Sequence, residues 1–497
     1  MTNARINPKC DAPSEDDLLQ RVRPVDWQNP EPSRPYDLAV IGAGPAGLAA
    51  AELAAKLRFR VALIERHRLG GNSLNVGSIP SKAIIRSARL CEATRESNAI
   101  CSSSLGDPCV EFSIVMARMR RIRARIADYH SVERLTQDGI DIYFGNACFL
   151  GPTSISVGNI ELTFAKALIA TGARARPSDI AGLEQMGYLT SDNFFDMTDL
   201  PKRLAVVGGG PLGCELAQAF CRLGSHVTIL QSEPQFLPRE ERDAAELLSR
   251  SMAKDGVDIR LNTAVVGAES RQGAKFLETL NNEVKTAIPT DEVLLSIGRV
   301  PNVGNLGLEN AGVVFDQEDG IKINDWFCTA NKNIYSAGDV CMSHRFANVA
   351  EMSSRMAVHN ALQGTFKRHS QMIIPWCTFC DPEIAHVGLQ VWQARNQSIP
   401  VKTFTVMMQD VDRAITDRQD AGFVKIHLLE GTDKILGATI VASRASEMIN
   451  EISVMMNKGL GLLELTDILH TYPSQSEALR MAALAYEQSL TRHSANI

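Results

Sequence analysis

Tyr36-Asp37-Leu38-Ala39-Val40-Ile41-Gly42-Ala43-Gly44-Pro45-Ala46-Gly47 decides the fold, because the chain carries the pattern twice. The second copy is Arg203-Leu204-Ala205-Val206-Val207-Gly208-Gly209-Gly210-Pro211-Leu212-Gly213. Each copy starts with an apolar run of strand length, reaches its glycines where strand should turn into helix, and continues into a helical stretch. Each then returns to a second apolar run, Arg60-Val61-Ala62-Leu63-Ile64-Glu65 in the first and His226-Val227-Thr228-Ile229-Leu230-Gln231 in the second. The spacing has a physical reason. The first glycine (Gly42, Gly208) permits the tight turn, and the second (Gly44, Gly210) lets the backbone approach a pyrophosphate. The third (Gly47, Gly213) lets helix and strand pack closely, with the pyrophosphate on the positive end of the helix that Pro45 and Ala46 open. Two dinucleotide sites are therefore expected.

The end of the second strand reads the ribose. Glu65 stands there in the first copy, where a carboxylate can accept from both ribose hydroxyls. Gln231 stands there in the second. An amide does not repel a 2′-phosphate, yet Ser232 and Glu233 follow and no arginine comes before Arg239. NADH and NADPH both remain open.

Bulk properties set the class. A chain of 497 residues is expected to form roughly three domains. Its hydrophobic share of 45% and charged share of 22% are those of a soluble globular protein. The net charge of -6 argues against a nucleic-acid partner. The basic run Met119-Arg120-Arg121-Ile122-Arg123-Ala124-Arg125 reads as a solvated or interface helix face. No apolar run approaches the about 18–20 residues that span a bilayer, and the polar stretch Met1 to Ser33 has no signal core, so a cytoplasmic protein without a membrane partner is expected. The 11 scattered cysteines fit reduced thiols. No cluster has metal-ligand spacing. The segment Asp26-Trp27-Gln28-Asn29-Pro30 reads as an ordered lead-in or a loose tail.

A third motif narrows the field. Gly70-Gly71-Asn72-Ser73-Leu74-Asn75-Val76-Gly77-Ser78-Ile79-Pro80-Ser81-Lys82 resembles the redox-active segment of the class I pyridine nucleotide–disulfide oxidoreductases, in which both serine positions are cysteines. Further stretches of similarity follow in order: Ala170-Thr171-Gly172-Ala173, Gly298-Arg299-Val300-Pro301-Asn302, Tyr335-Ser336-Ala337-Gly338-Asp339-Val340, Ile374-Pro375-Trp376 through Asp381 to Gly388, and Ala445 to Glu451. The chain most resembles mercuric-reductase-like and dihydrolipoamide-dehydrogenase-like members. The resemblance implies an α/β fold with two Rossmann-like domains, one for FAD and an inserted one for NAD(P), followed by a C-terminal α+β dimerisation domain. The expected divisions are an N-terminal extension (1–35), a discontinuous FAD domain (36–177 and 301–367), an NAD(P) domain (178–300) and an interface domain (368–497). A homodimer with an active site shared between subunits is implied. So is FAD binding by Gly71, Asn72, Ser73, Lys82, Thr171, Gly172, Gly298, Arg299, Gly338 and Asp339, with Asp339 holding the ribityl chain.

Members of the family pass hydride from nicotinamide to flavin and release the electrons through the disulfide. Ser73 and Ser78 carry hydroxyls, which cannot form that bond. His470-Thr471-Tyr472-Pro473-Ser474-Gln475-Ser476-Glu477 resembles the family's His-Pro…Glu dyad, with Tyr472 in the place of the histidine and Glu477 as its carboxylate. A phenol with a pKa of about 10 is a poor base near neutrality. His470, two residues early, reads as a packed or surface histidine. Thr491 to Ile497 lacks the paired terminal cysteines of mercuric reductases. Lys82 and Glu215 match the family's ion pair beside the flavin.

Cys377-Thr378-Phe379-Cys380 reads as part of a strand, which would point the two cysteines to opposite faces and disfavour a disulfide. Cys214 reads as helix packing and Cys341 as a neighbour of the flavin pocket. The leading expectation is an FAD-dependent NAD(P)H oxidoreductase that hands electrons directly to a small acceptor such as a quinone, a nicotinamide or dioxygen. The alternatives are a non-catalytic flavoprotein, and a mercuric or disulfide reductase working through other cysteines.

Overall fold

The computed structural model describes residues 15–100 and 110–494, without the side chains of 98–100 and 492–494. The start of the N-terminal extension and the last three residues of the tail lie outside the described residues. The chain divides into two compact units. One comprises Met1–Asp179, Leu189–Leu200 and Ile297–Met372, and the other Ile180–Tyr188, Pro201–Ser296 and Ile373–Ile497.

The first unit is built on a parallel sheet in which strands Ile140–Phe144, Val61–Glu65, Tyr36–Ile41 and Ile160–Ile169 lie side by side, with Ile334–Ser336 on the far side of Ile160–Ile169. The long strand Ile160–Ile169 does two jobs. Its second half runs parallel to Tyr36–Ile41, while its first half pairs antiparallel with Ser154–Val157. Side chains alternate across the sheet and both faces are covered. Leu38, Val40, Leu63 and Ile142 enter one core; Ala39, Ile41, Ala62, Ile64 and Tyr143 enter the other. A parallel sheet buried on both faces produces the near-continuous apolar runs seen in the sequence.

The second unit begins with a smaller parallel sheet, ordered Asp258–Arg260, His226–Leu230, Arg203–Val207, Glu292–Leu295. An antiparallel meander, Ala264–Arg271, Ala274–Asn281 and Val284–Thr290, is inserted before its last strand. The same unit carries a five-stranded antiparallel sheet, ordered Pro375–Thr378, Glu383–Gly388, Ile435–Ala442, Phe423–Leu429, Val401–Met407. Helices Ala445–Lys458 and Glu477–Ser494 contribute Met448, Ile452, Leu479 and Ala483 to the core on this sheet.

Three expectations need correction or completion. The basic run is not a solvated face throughout. Arg123, on helix Phe112–Ala127, is 2% exposed; it donates to Asn75 O and pairs with Glu15 of helix Glu15–Val22. A guanidinium can be buried when a carboxylate faces it and its terminal nitrogens find acceptors. The lead-in is ordered: Trp27 packs edge-on to Phe144, and the Asn29 side chain both donates to Phe144 O and accepts from Phe144 N. Finally, the strand bearing Cys377 ends at Thr378, so Cys380 lies beyond it in the turn, buried, and face alternation does not govern the pair.

The glycine turns supply a sharp test of packing. A Cβ on Gly47 would lie 1.7 Å from Gly42 O, whereas one on Gly44 would meet only Gly71 Cα, at 3.8 Å. Gly47→Ala should cost about 3 kcal/mol or more and fail to accumulate folded protein. Gly44→Ala should fold, melt near the apo protein, and lack bound flavin by visible absorbance. Equal behaviour of the two variants would contradict this assignment.

Glu240 gives a second test. Burial, opposed by a hydrogen bond from Trp376 and reinforced by the neighbouring Glu241 charge, pushes its carboxyl from 4.5 up to about 7. The folded state then binds more protons than the unfolded state between these values, so stability falls as pH rises through that window. Glu240→Gln removes the slope. In urea titrations the variant should gain about 3 kcal/mol on wild type between about pH 4 and about pH 8.

Candidate functional site

Each fingerprint turn is formed as its glycines predict. Gly42 and Gly208 adopt φ of +101° and +103°, in the region that favours glycine. Gly44 and Gly210 are the residues that cap helices Pro45–Lys56 and Pro211–Leu223. The third glycines are pressed onto protein: a Cβ on Gly213 would lie 2.8 Å from Gly208 O, as Gly47 faces Gly42. The middle glycines look into space instead. A Cβ on Gly210 would meet nothing closer than Ser296 O at 3.9 Å. Room kept in front of two helix N-termini suits two pyrophosphates, and the residues present fit the groups the sequence implies.

The ribose-reading positions have a further role that the sequence did not disclose. Ala43 N donates to Glu65 Oε2 at 2.8 Å, and His67 N donates to Glu65 Oε1 at 2.7 Å. In the second copy Gly209 N donates to Gln231 Oε1, also at 2.8 Å. The same bond recurs, from the middle of the turn to the end of the neighbouring strand. Glu65 thus braces the turn while retaining lone pairs for a ribose.

The serine segment is locked to the first turn. Gly70 N donates to Ala43 O at 2.8 Å, and Gly71 (φ +53°) packs so closely that a Cβ on it would lie 2.5 Å from Gly44 Cα. Asn72 Nδ2 donates to Ala173 O at 2.7 Å. Ser73 lies in the short helix Gly71–Asn75 and Ser78 opens helix Ser78–Ile100. This brings the two hydroxyls face to face, Ser73 Oγ 3.4 Å from Ser78 Oγ. Lys82, one turn further, is half-buried, with Nζ 3.4 Å from Ser81 Oγ.

Of the remaining FAD-site candidates in this unit, Thr171 and Gly172 are tied to Asn302, a motif residue whose role the sequence alone did not indicate. Asn302 N donates to Gly172 O, its side chain donates to Thr171 O, and Thr171 Oγ1 donates back to Asn302 O at 2.7 Å. Arg299 Nη1 lies 2.6 Å from Asp339 Oδ2, and its Nη2 donates to Ala173 O. Gly338 (φ +76°) sits against Ala46 and Ala350, and its N–H donates to Ser353 Oγ. Gly298 takes φ +108° where the chain re-enters this unit. Cys341 is packed beside this turn, its thiol pushed up to about 12 by burial.

In the second unit, Glu215 is buried on helix Pro211–Leu223 and accepts from Phe379 N at 2.9 Å. Cys214 beside it is fully buried, which raises its thiol pKa well above the usual range. Tyr472 and Glu477 are not hydrogen-bonded to each other. The Tyr472 hydroxyl donates to Asp412 Oδ2 at 2.6 Å, and Glu477 accepts from Arg480. Asp412 lies sixty positions away in sequence, and no motif pointed to it. Its carboxylate raises the phenol's pKa further, through the hydrogen bond first and its charge second. His470 is packed, its side chain 6% exposed with Nε2 2.9 Å from Glu451 Oε1.

Residues 36–364 match the family described as pyridine nucleotide-disulphide oxidoreductase. The chain belongs to that family. Residues 374–483 match the dimerisation domain of these pyridine nucleotide-disulphide oxidoreductases. Among its relatives is a mercuric reductase of Lysinibacillus sphaericus, 31% identical over 456 residues that cover 92% of this chain and 83% of that protein. A dihydrolipoyl dehydrogenase of Geobacillus stearothermophilus is 31% identical over 453 residues, covering 89% and 94%. The solved Cu(II) complex of the HOCl-induced flavoprotein disulfide reductase RclA from Escherichia coli superposes with a TM-score of 0.81 at 28% identity, covering 91% of this chain and 99% of that one. Like the family, this oxidoreductase uses FAD and NAD(P)H. Among its described residues no helix is long and apolar enough to cross a membrane, and no group of three His, Cys, Asp or Glu side chains is placed to hold a metal ion.

The Tyr472–Asp412 contact predicts a titration. Asp412→Asn should lower the phenol's pKa toward about 10, read as phenolate absorbance in an alkaline titration against a Tyr472→Phe blank. An unmoved titration would mean that the contact does not form.

Proposed function

We propose that the protein is an NAD(P)H oxidoreductase whose FAD passes electrons to a small acceptor directly, with no disulfide in between. The observation that carries this reading is the pair of hydroxyls, Ser73 Oγ and Ser78 Oγ, 3.4 Å apart on the segment locked to the first fingerprint. On this reading they hold the positions of the family's redox cysteines. Oxygen there supplies neither a thiolate nor an S–S bond to break.

Gly42, Gly44, Gly47, Glu65, Arg299 and Asp339 would hold FAD, and Gly208, Gly210, Gly213 and Gln231 the nicotinamide nucleotide. When bound, the two cofactors supply hydride transfer and a carrier for the electron pair. The protein's own residues orient and exclude. Lys82 brings a positive charge to the helix behind the serines. Two small hydroxyl-bearing side chains leave space for a flat acceptor and can donate to its oxygens. In a homodimer the partner subunit's Tyr472 would close that space. Its proton is committed to Asp412, so the phenol offers lone pairs rather than a base. The relatives named as mercuric reductases and disulfide reductases share the frame, and the proposal departs from them at these two atoms.

The experiment is steady-state NAD(P)H oxidation against quinones, nicotinamide analogues and dioxygen, before and after exhaustive thiol alkylation. At least one acceptor should turn over about tenfold or more above free flavin, and alkylation should leave that rate in place. The Ser73→Cys, Ser78→Cys double variant should instead form a disulfide that NAD(P)H opens, so that alkylation in the presence of NAD(P)H traps the new thiol pair. Loss of wild-type turnover on alkylation would sink the proposal.

A further inference from the structure

The stretch after Gln231 is a tightly tied loop. At its near end it folds onto the second fingerprint: Gly209 N donates to Gln231 Oε1 at 2.8 Å, and Leu237 N donates to Gly209 O at 3.3 Å. Gln235 stands in the middle. Its carbonyl faces Gln231 Nε2 at 3.4 Å, and its side-chain amide donates to Glu240 O at 3.0 Å. At the far end the loop is held by the C-terminal sheet. Trp376 Nε1, on strand Pro375–Thr378, donates to Glu240 Oε1 at 3.0 Å, and the buried Gln390 donates to Arg239 O at 2.9 Å. Beneath the indole lies the buried His386 ring, with centroids 4.4 Å apart, so the tryptophan is itself fixed.

These ties matter because the loop has no ladder of its own. Such segments open at low free-energy cost unless side chains close them. A nucleotide that binds only the closed form loses affinity in proportion to the fraction that is open. We propose that Trp376 and Glu240 are positioning residues for the nicotinamide nucleotide. Their hydrogen bond holds the 231–240 loop closed and, through Gln235 and Gln231, sets the turn at Gly208–Gly210. The C-terminal sheet thereby sets nucleotide affinity without touching the nucleotide. The inference rests on reading the second fingerprint as the nucleotide site, and it is independent of which acceptor the protein uses.

The test is calorimetric titration of the FAD-loaded protein with NADH and with NADPH, for wild type, Trp376→Phe, Glu240→Leu and Glu240→Gln. Trp376→Phe removes the donor and Glu240→Leu the acceptor, while the glutamine still accepts through its amide oxygen. Both cutting variants should bind the preferred nucleotide about tenfold more weakly. They should keep bound FAD and the wild-type rate of flavin bleaching at saturating nucleotide, and Glu240→Gln should restore affinity. Wild-type affinity in either folded cutting variant, or a glutamine variant as weak as the leucine one, overturns the proposal. A wild type that binds neither nucleotide overturns the reading of the second fingerprint and this inference with it.

Discussion

Two backbones touch where the serine segment meets the first fingerprint. Gly71 lies on Gly44 with no room for a side chain on the former, and Gly70 N donates to Ala43 O. This contact fixes one geometry for two functions. The turn leaves the N-terminal end of helix Pro45–Lys56 open to a phosphate, and the neighbouring chain sets Ser73 and Ser78 at a defined place beside it. Only glycine at position 71 permits such approach, because a Cβ there would fall 2.5 Å from Gly44 Cα, well inside van der Waals contact. The site is therefore carried by packed backbone, and side-chain chemistry can be exchanged on it without disturbing the frame.

The repeated bond from the turn to the strand end shows the same principle. Glu65 and Gln231 each accept from the second residue of their turn at 2.8 Å. A carboxylate and an amide brace the backbone equally in geometry, but differ in charge. The carboxylate keeps an anionic acceptor beside the first site. The amide is electrically neutral at the same point of the second turn, and the loop that follows is anchored to the C-terminal sheet through Trp376.

The sequence disclosed what is local or periodic. The fingerprints specify turn, cap and strand within about thirty residues, and side-chain alternation specifies a sheet buried on both faces. Contacts between distant segments were not legible. Arg123 looks like a surface charge until Glu15, over a hundred positions away, folds onto it. Tyr472 resembles half of a dyad with Glu477, yet helix geometry gives Glu477 to Arg480 and leaves the phenol to Asp412. Asn302 was visible as part of a motif, but its ties to Thr171 and Gly172 arise only when the two segments pair. Trp376 was visible as part of a motif but carried no role, since a strand aromatic is ordinary core until its indole N–H has a buried acceptor.

On a frame whose relatives are named for reducing mercuric ion and disulfides, the fate of an electron pair turns on two atoms. The family's members use two cofactors, and the atoms that Ser73 and Ser78 turn toward each other are oxygens. An anaerobic titration with NAD(P)H, followed by a count of reactive thiols on the denatured protein, separates the possibilities. One nucleotide should bleach one bound FAD, with no thiol gained over the oxidised protein. Uptake of a second equivalent, accompanied by a new pair of thiols, would contradict the account.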